Sequence, residues 1–417
     1  MELMRNRIRP YAWGSRTAIA ELLGEPSPAP HPQAELWLGA HPGDPSELVG
    51  AGGERRLDQV IAEDPEGQLG AGARRWGGRL PFLLKVLAAE APLSLQAHPT
   101  TAQAEAGYRA EDAAGIPLTH PNRNYKDRSH KPELICALTE FHALCGFRAP
   151  DKTVKLLADL AVPELMPYLN LLAGQPDPDG VRALFSTIMT LPQAKLNTLL
   201  DAVLGAAMSA VAAGSPHSAE YRVALDLGER YAGDSGILAA LMLNRIVLQP
   251  GEALYLPAGN LHAYLFGVGV ELMANSDNVL RGGLTPKHVD VPELMRVLDF
   301  AAGDREILRG EQVGPHRVVY DTGAVEFRLS RVELGSLAAR DGDGAADPDS
   351  GFGDIVDLTA DGPQIVLCTE GTAEIGSPGG RSLQIRRGQS VWIPASDRGV
   401  AAWGDGELYH AAVGSPQ

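Results

Sequence analysis

The chain of 417 residues carries a formal net charge of −16, and 44% of its residues are hydrophobic and 21% are charged. A single hydrophobic core rarely grows to this length, so two or three domains are expected. The composition is typical of a globular protein. The negative charge argues against nucleic acid or an anionic membrane surface as a general partner.

The cysteines and the apolar segments exclude further classes. Cys136, Cys145 and Cys368 contain no C-x-x-C spacing, which predicts neither a disulfide framework nor a thiolate zinc site and is typical of a reducing compartment. The first residues, "MELMRNRIRPYAWGS", show no apolar secretory segment. No window is apolar and uncharged for long enough to span a bilayer. We therefore expect a cytoplasmic protein with no membrane partner.

The pattern of elements changes twice along the chain. Residues 1–150 contain short apolar runs broken by Gly and Pro, which predict strands and loops, with a helix at "TAQAEAGYRA". Residues 151–244 have apolar positions at helical spacing and predict a helical module. Strand patterns then return and continue to the C-terminus, interrupted by a helix at "VPELMRVLDF".

The stretch "LSLQAHPT" begins like a buried strand but contains Gln96 and His98, separated only by Ala97. Side chains alternate faces along a strand, so Gln96 and His98 point the same way. An amide and an imidazole on one face are costly in an ordinary core. They indicate either a solvated strand face or a polar partner such as a metal ion.

Two segments repeat one pattern without gaps: "IVLQPGEALYLPAG" (246–259) and "LQIRRGQSVWIPAS" (383–396). In each, a strand, a Gly turn and a second strand end at a proline, which indicates two related β units. The pattern resembles the second motif of cupins, which are double-sheet β-barrels. His262 follows the first copy at the position of a cupin metal ligand, and Gly399 takes that position after the second copy. The first unit therefore offers a ligand and the second does not.

A carboxylate near these residues completes a candidate metal site. In "NYKDRSHKPELICAL" (124–138), Glu133 follows Pro132 at the start of an apolar run. Gln96, His98, Glu133 and His262 together offer two nitrogens and two oxygens, a set that suits a borderline divalent cation. With one anionic ligand, the site would keep a net positive charge and remain a good Lewis acid.

The Gly-rich stretch "GVGVELMANSDNVLRGGLTPKH" (267–288) is either a polar loop or one wall of an active site. Glycines let the backbone approach a ligand closely. Glu271 and Asp277 supply carboxylates, while Arg281 and Lys287 supply the local positive charge that an acidic protein needs to bind a phosphate.

With these residues in view, the chain resembles the type I phosphomannose isomerases, a zinc-dependent family. The matching stretches run from the N-terminus to about residue 290: "YAWGS", "AELWLGAHP", "PFLLKVLAA", "SLQAHP", "YKDRSHKPE", "YLPAGNLHAY" and "ELMANSDNVLRGGLTPKHVD". The resemblance implies a mainly β protein with an α-helical insertion, built from two cupin (double-stranded β-helix, or jelly-roll) barrels. The expected divisions are 1–150 and 245–305 for the catalytic cupin domain, 151–244 for the helical domain and 306–417 for a metal-free cupin-like domain.

The same resemblance implies the roles of the candidate residues. One zinc ion per chain is expected on Gln96, His98, Glu133 and His262. Arg281 matches the family's catalytic arginine, and Lys131, Glu271 and Asp277 are further catalytic candidates, with Glu271 preferred as the base. Substrate contacts are expected from Lys287, Lys85, Ser94 and His130, of which His130 or Lys131 is a candidate for ring opening.

The implied activity is the reversible conversion of mannose 6-phosphate to fructose 6-phosphate by proton transfer through a cis-enediol. A metal-dependent cupin dioxygenase and a non-catalytic sugar-phosphate sensor are the alternatives. The glutamine ligand and the basic wall favour a phosphosugar over oxygen chemistry, and a sensor needs no metal site beside Glu271 and Arg281. The nucleotidyltransferase loop of bifunctional type II isomerases is not found. A monomer or weak homo-oligomer is expected.

Overall fold

Strands dominate the computed structural model, which describes residues 1–50, 53–335, 355–377 and 380–414. They form two antiparallel sheets, and helices pack against them. The strands are β1 (Glu2–Arg5), β2 (Arg7–Arg9), β3 (Glu35–Leu38), β4 (Glu47–Gly50), β5 (Gly53–Arg56), β6 (Phe82–Ala89), β7 (Leu95–Ala97), β8 (Glu133–Ala137), β9 (Phe141–Phe147), β10 (Leu243–Leu248), β11 (Ala253–Leu256), β12 (His262–Ala274), β13 (Leu280–Gly283), β14 (Glu311–Gly314), β15 (Arg317–Tyr320), β16 (Arg328–Leu334), β17 (Val356–Asp357), β18 (Gln364–Gly376), β19 (Ser382–Arg386), β20 (Ser390–Ile393) and β21 (Ala401–Ala412).

The helices are concentrated between the strands β9 and β10, as the sequence predicts. They are α1 (Ala18–Leu23), α2 (Leu57–Glu63), α3 (Pro65–Leu69), α4 (Thr101–Ala113), α5 (Pro150–Asp159), α6 (Met166–Gly174), α7 (Pro178–Met189), α8 (Gln193–Ala212), α9 (Ser218–Arg230), α10 (Gly236–Leu241) and α11 (Val291–Val297). Helices α4 and α11 confirm the two isolated helices predicted outside the helical module. The domain boundaries drawn around these elements remain predictions.

One sheet is organised around the long strand β12. The path of this ten-stranded sheet is β10-β9-β12-β6-β3-β2, and the short strands β7, β8, β11 and β13 pair beside it. The first half of β12 pairs with β9, and the second half, from Gly267 onward, pairs with β6 and β8. The register shifts between Tyr264 and Phe266, so a single strand serves two sets of neighbours. His262 begins this strand, and Glu271 lies within its second half.

The second sheet joins the two ends of the chain. Its eleven strands follow the path β14-β15-β16-β21-β18-β20-β1-β4-β5, with β17 and β19 at its sides. Leu3 pairs with Val391 on one side and with Val49 on the other. The N-terminal strands β1, β4 and β5 thus extend the C-terminal sheet, although the sequence analysis assigned all of residues 1–150 to the catalytic part. A pairing partner this distant leaves no local pattern in the sequence.

The internal repeat forms two matching strand–turn–strand units. Strands β10 and β11 flank Gly251, and strands β19 and β20 flank Gly388. Both glycines adopt a left-handed backbone, with φ of +82° and +84°. Because side chains with a Cβ disfavour this conformation, the shared glycine accounts for the turn in both copies.

Within the described residues, one helix meets the length and composition criteria for a membrane span, and it is α8. Core helices meet the same criteria. Leu196, Leu199, Leu200 and Val203 of α8 are buried in a hydrophobic cluster shared with the other helices of the module.

We predict that Gly388→Ala destabilises the fold more than Gly399→Ala. Both glycines are left-handed, which costs an L-residue about 1–2 kcal/mol. At Gly388 an added Cβ would also lie 2.5 Å from the Leu22 carbonyl oxygen, whereas at Gly399 it would meet nothing within 4 Å. Urea unfolding of the two variants measures the difference, and equal midpoints would contradict the proposed packing of this turn.

Candidate active site

A cavity of about 540 Å³ opens beside β6, β7 and β12. This volume is within the usual range for small-molecule sites. Most of the candidate residues from the sequence line it: Lys85, Ser94, Gln96, Lys131, Glu133, Glu271, Asp277, Arg281 and Lys287. Segments far apart in the sequence therefore meet at one place.

Three buried side chains converge at the cavity wall. The ligand atoms of His98, Glu133 and His262 lie within 4.8 Å of one another. Nε2 of His98 lies 3.4 Å from Glu133 Oε1, and Nε2 of His262 lies 3.4 Å from Glu133 Oε2. Donor atoms that share a tetrahedral zinc ion are separated by about 3.3–3.5 Å, given metal–ligand lengths near 2.0–2.1 Å. The spacing fits a divalent cation.

The hydrogen bonds of the two imidazoles leave the metal-facing nitrogens free. Nδ1 of His98 lies 2.7 Å from the Asn278 carbonyl oxygen, and Nδ1 of His262 lies 3.1 Å from the Asn260 carbonyl oxygen. Each Nδ1–H can donate there, which presents the Nε2 lone pair to an ion. In the described part of the chain, neither Nε2 atom nor Glu133 Oε2 makes a hydrogen bond. Buried polar atoms without partners are rare, so these three indicate a place where a cation can bind.

The protonation states also suit metal binding, because metal ligands must be deprotonated. Burial lowers the pKa of His98 to about 4, so its imidazole is neutral at pH 7. Burial opposes ionisation of Glu133, but His98 and the Lys131 ammonium hold the pKa of its carboxyl well below its usual range. Lys131 Nζ lies 3.2 Å from Glu133 Oε1.

Gln96 lies where the fourth ligand is expected. Its Cα pairs with that of His262 on one side and with that of Arg281 on the other. Both Gln96 and Arg281 line the cavity. The short strand β7 therefore brings the amide next to a ligand histidine and to the basic wall.

A buried charge network also lines the cavity. Lys85 Nζ lies 2.9 Å from Glu271 Oε2 and 3.4 Å from Glu35 Oε1, and Trp37 Nε1 donates to Glu35 at 2.7 Å. Burial raises the pKa of Glu271, and the neighbouring Lys85 ammonium opposes this increase. Burial opposes the charge on Lys85, but Glu271 and Glu35 raise its pKa, so the ammonium stays protonated.

The basic wall is formed by Arg281 and Lys287. Arg281 is half-buried, and burial lowers its pKa. Among the described residues no carboxylate forms an ion pair with it. Lys287 is exposed at the rim, where burial and the nearby Arg281 lower its pKa. An unpaired guanidinium and an ammonium at a cavity mouth form a suitable anion site.

His98 and His262 are buried beside the cavity and do not line it, and two further candidates also differ from the rest. His130 is absent from the cavity lining, and its Nε2 instead lies 2.8 Å from Oε1 of Glu326. Although His130 is next to Lys131 in sequence, only Lys131 lines the cavity. Asp277 lines the cavity, but its side chain is 56% exposed. Its Oδ2 lies 3.3 Å from His41 Nε2. This hydrogen bond lowers the pKa of Asp277.

The sequence analysis missed several lining residues. They are Tyr11, Trp13, Glu35, Trp37, His41 and Tyr264. Glu35 and Trp37 lie two apart on β3, and His262 and Tyr264 lie two apart on β12, the same spacing that singled out Gln96 and His98. This alternation could have identified Glu35, Trp37 and Tyr264.

We predict that the protein binds one divalent ion per chain and that His98→Ala or His262→Ala lowers the bound metal to well below one equivalent. Each substitution removes one of the converging donors. His142→Ala is the matched control, because His142 pairs with the exposed Glu140. Metal content by mass spectrometry of the purified proteins decides this, and full occupancy in both ligand variants would refute the site.

The comparisons with known proteins agree with this geometry. Residues 1–150 match the family model for phosphomannose isomerase type I, catalytic domain. The mannose-6-phosphate isomerase of Escherichia coli strain K12 is 37% identical, over 98% of each chain. The human mannose-6-phosphate isomerase is 33% identical, over 94% of this chain and 92% of its own.

Solved structures give the same result. A mutant of phosphomannose isomerase from Salmonella typhimurium superposes with a TM-score of 0.87 at 33% identity, covering all of both chains. A zinc-bound mannose 6-phosphate isomerase superposes with a TM-score of 0.86 at 33% identity, covering 99% of each. The similarity in sequence and in fold extends across the whole length, and the chain belongs to the type I phosphomannose isomerase family.

Proposed function

We propose that the chain is a zinc-dependent mannose-6-phosphate isomerase, which interconverts mannose 6-phosphate and fructose 6-phosphate. The observation that carries this proposal is the set of three buried, unpaired donor atoms beside a cavity that also contains a base candidate and a basic wall. Full-length relatives named for this activity support it, as does a related structure with bound zinc.

Zinc is held by His98, Glu133 and His262, with Gln96 as the fourth ligand. The bound ion supplies Lewis acidity, which favours negative charge on a substrate oxygen. Neutral histidines and one carboxylate leave the site with a net positive charge.

The phosphate lies toward Arg281 and Lys287, with Ser94 beside them on the same cavity wall. Both cations reach solvent at the cavity mouth, so a dianionic group can bind there while the sugar carbons extend inward toward Glu271. This arrangement explains how a chain with net charge −16 accepts an anionic substrate. Binding energy at the phosphate also positions the reacting carbons.

Glu271 is the base for the isomerisation. Its buried carboxylate, with a raised pKa, takes the C2 proton; the electrons of the C2–H bond form the C1–C2 double bond and the carbonyl electrons move to O1, which gives the anion of the cis-enediol. A proton then passes from the O2 hydroxyl to O1, and the same carboxyl returns its proton to C1 as the C2 carbonyl forms. Lys85 holds the carboxylate in place at 2.9 Å. Arg281 stabilises the developing oxyanion, and Lys131 assists ring opening.

The overall organisation is proposed on the same basis. The two sheets are cupin barrels, the first catalytic (1–150 and 245–305) and interrupted by the helical domain (151–244), the second metal-free (306–417). Strands β1, β4 and β5 extend the second sheet. We further propose a cytoplasmic protein, monomeric or weakly homo-oligomeric, that acts on a phosphosugar and requires neither nucleic acid nor a membrane.

The direct test is a coupled assay with mannose 6-phosphate before and after metal chelation. We expect activity in the purified protein, loss of activity with the chelator and recovery on adding zinc. Oxygen uptake with iron would instead favour a dioxygenase. Zinc and sugar-phosphate binding without turnover would favour a sensor.

We predict that Glu271→Gln reduces kcat by about 10²–10⁴-fold, the usual contribution of a general base, and abolishes solvent exchange of the C2 proton. Asp277→Asn is the matched comparison and should retain exchange. Because burial raises the pKa of Glu271, the acid limb of the kcat profile should lie above the usual glutamate range, with activity lost as pH falls through it. Exchange lost in Asp277→Asn alone would reverse the assignment.

A further inference from the structure

We propose that Asn278, together with Asp127, is a positioning residue that aligns His98 for metal binding. The inference rests on the proposed zinc site. Asn278 is fully buried, and its carbonyl oxygen accepts the hydrogen bond from His98 Nδ1 at 2.7 Å. The orientation of the imidazole therefore depends on the placement of one backbone carbonyl.

The side chain of Asn278 fixes that carbonyl through a full set of hydrogen bonds. Its Oδ1 accepts from the backbone N–H groups of Lys126 at 2.7 Å and Asp127 at 3.2 Å. Its Nδ2 donates to the carbonyl oxygens of Asp127 at 3.0 Å and Ser129 at 2.8 Å. Both ends of one amide thus bind the same short loop, which leaves the amide a single favourable orientation.

Asp127 adds hydrogen bonds in the opposite direction. We call the contacts that Asn278 and Asp127 make between residues 126–129 and 276–278 the clamp. Its Oδ1 accepts from Ser129 N at 2.9 Å and from Ser276 Oγ at 2.9 Å, and its Oδ2 accepts from Asp277 N at 2.8 Å. The loop at 126–129 and the segment at 276–278 are therefore held to each other in both directions.

The positions of these two segments in the chain give the clamp its role. The loop leads directly into Lys131 and Glu133, and the other segment leads into Arg281. His98 belongs to neither, yet it hydrogen-bonds to the centre of the clamp. Two metal ligands and the catalytic arginine thus take their relative positions from one amide and one carboxylate. Such outer hydrogen bonds typically change metal affinity by about 10–100-fold when they are removed.

The test is the zinc affinity of Asn278→Asp. This change keeps the size of the side chain but replaces Nδ2 with an oxygen that faces the carbonyls of Asp127 and Ser129. We expect zinc binding, measured by competition with a chromophoric chelator on the apo protein, to weaken by about 10–100-fold. The measurement is made well below the thermal midpoint of each apo variant.

The matched control is Asn6→Asp. Asn6 also bridges two segments, donating to Ser390 Oγ at 2.8 Å and accepting from Ser46 Oγ at 3.0 Å, but it links β1 to β2 and neither of its partners is a candidate metal ligand. We expect a lower thermal midpoint with wild-type zinc affinity. If Asn278→Asp does not fold, Asp127→Asn is used. With an amide nitrogen in place of Oδ2 this variant loses the acceptor for Asp277 N and the second acceptor for Ser276 Oγ, and it should still weaken zinc binding several-fold.

Zinc affinity within twofold of wild type in the folded clamp variant, with only its stability reduced, would overturn the positioning role. That outcome leaves the proposed function intact, because wild-type zinc binding and isomerase activity are measured in the same experiment. A wild-type protein that binds no zinc would overturn both.

Discussion

The structure depends on three buried polar atoms that find no partner within the described protein. Leaving one such atom unsatisfied costs about 1–3 kcal/mol, so the convergence of His98, Glu133 and His262 is unfavourable unless a cation binds between them. Strands β7 and β8 pair with opposite ends of β12, and the side chains of His98 (which follows β7), Glu133 and His262 converge between them. A bound cation would satisfy these three atoms. The cavity, the basic wall and the buried Lys85–Glu271 pair are arranged around this metal site.

The candidate metal ligands could be singled out from sequence because each has a local signature, and the structure brings His98, Glu133 and His262 together. Gln96 and His98 share a strand face, Glu133 opens an apolar run, and His262 follows a repeated strand–turn pattern. His130 does not line the cavity, although it is next to Lys131 in sequence, because its side chain turns toward Glu326. His41 was missed because it lies beyond the end of β3 and meets the site through Asp277, a contact between distant segments that the local sequence does not determine.

The fold shows the same division between local and distant information. The helices between β9 and β10 follow from the spacing of apolar residues, and the turns of the two strand–turn–strand units follow from a glycine that must be left-handed. Which sheet a strand joins cannot be predicted from the local sequence in this way. The sequence of β1 is compatible with many partners, and its pairing with β20 results from burying both strands against the same core. Assigning the first 150 residues to one part of the molecule was therefore incomplete, although the sequence did identify several residues within them that line the cavity.

The pairing of Leu3 with Val391 has a consequence for biosynthesis. A growing polypeptide can form the helices as they leave the ribosome, since their contacts are close in sequence, but β1 must wait for β20, which is made almost last. Closing so long a loop carries an entropic cost before any contact repays it. One edge of β1 consequently stays unpaired through most of translation, although β4 can pair with its other edge early. A ribosome stalled before residue 390 would hold a chain whose first strand lacks its C-terminal partner, and chaperones are needed most in this interval.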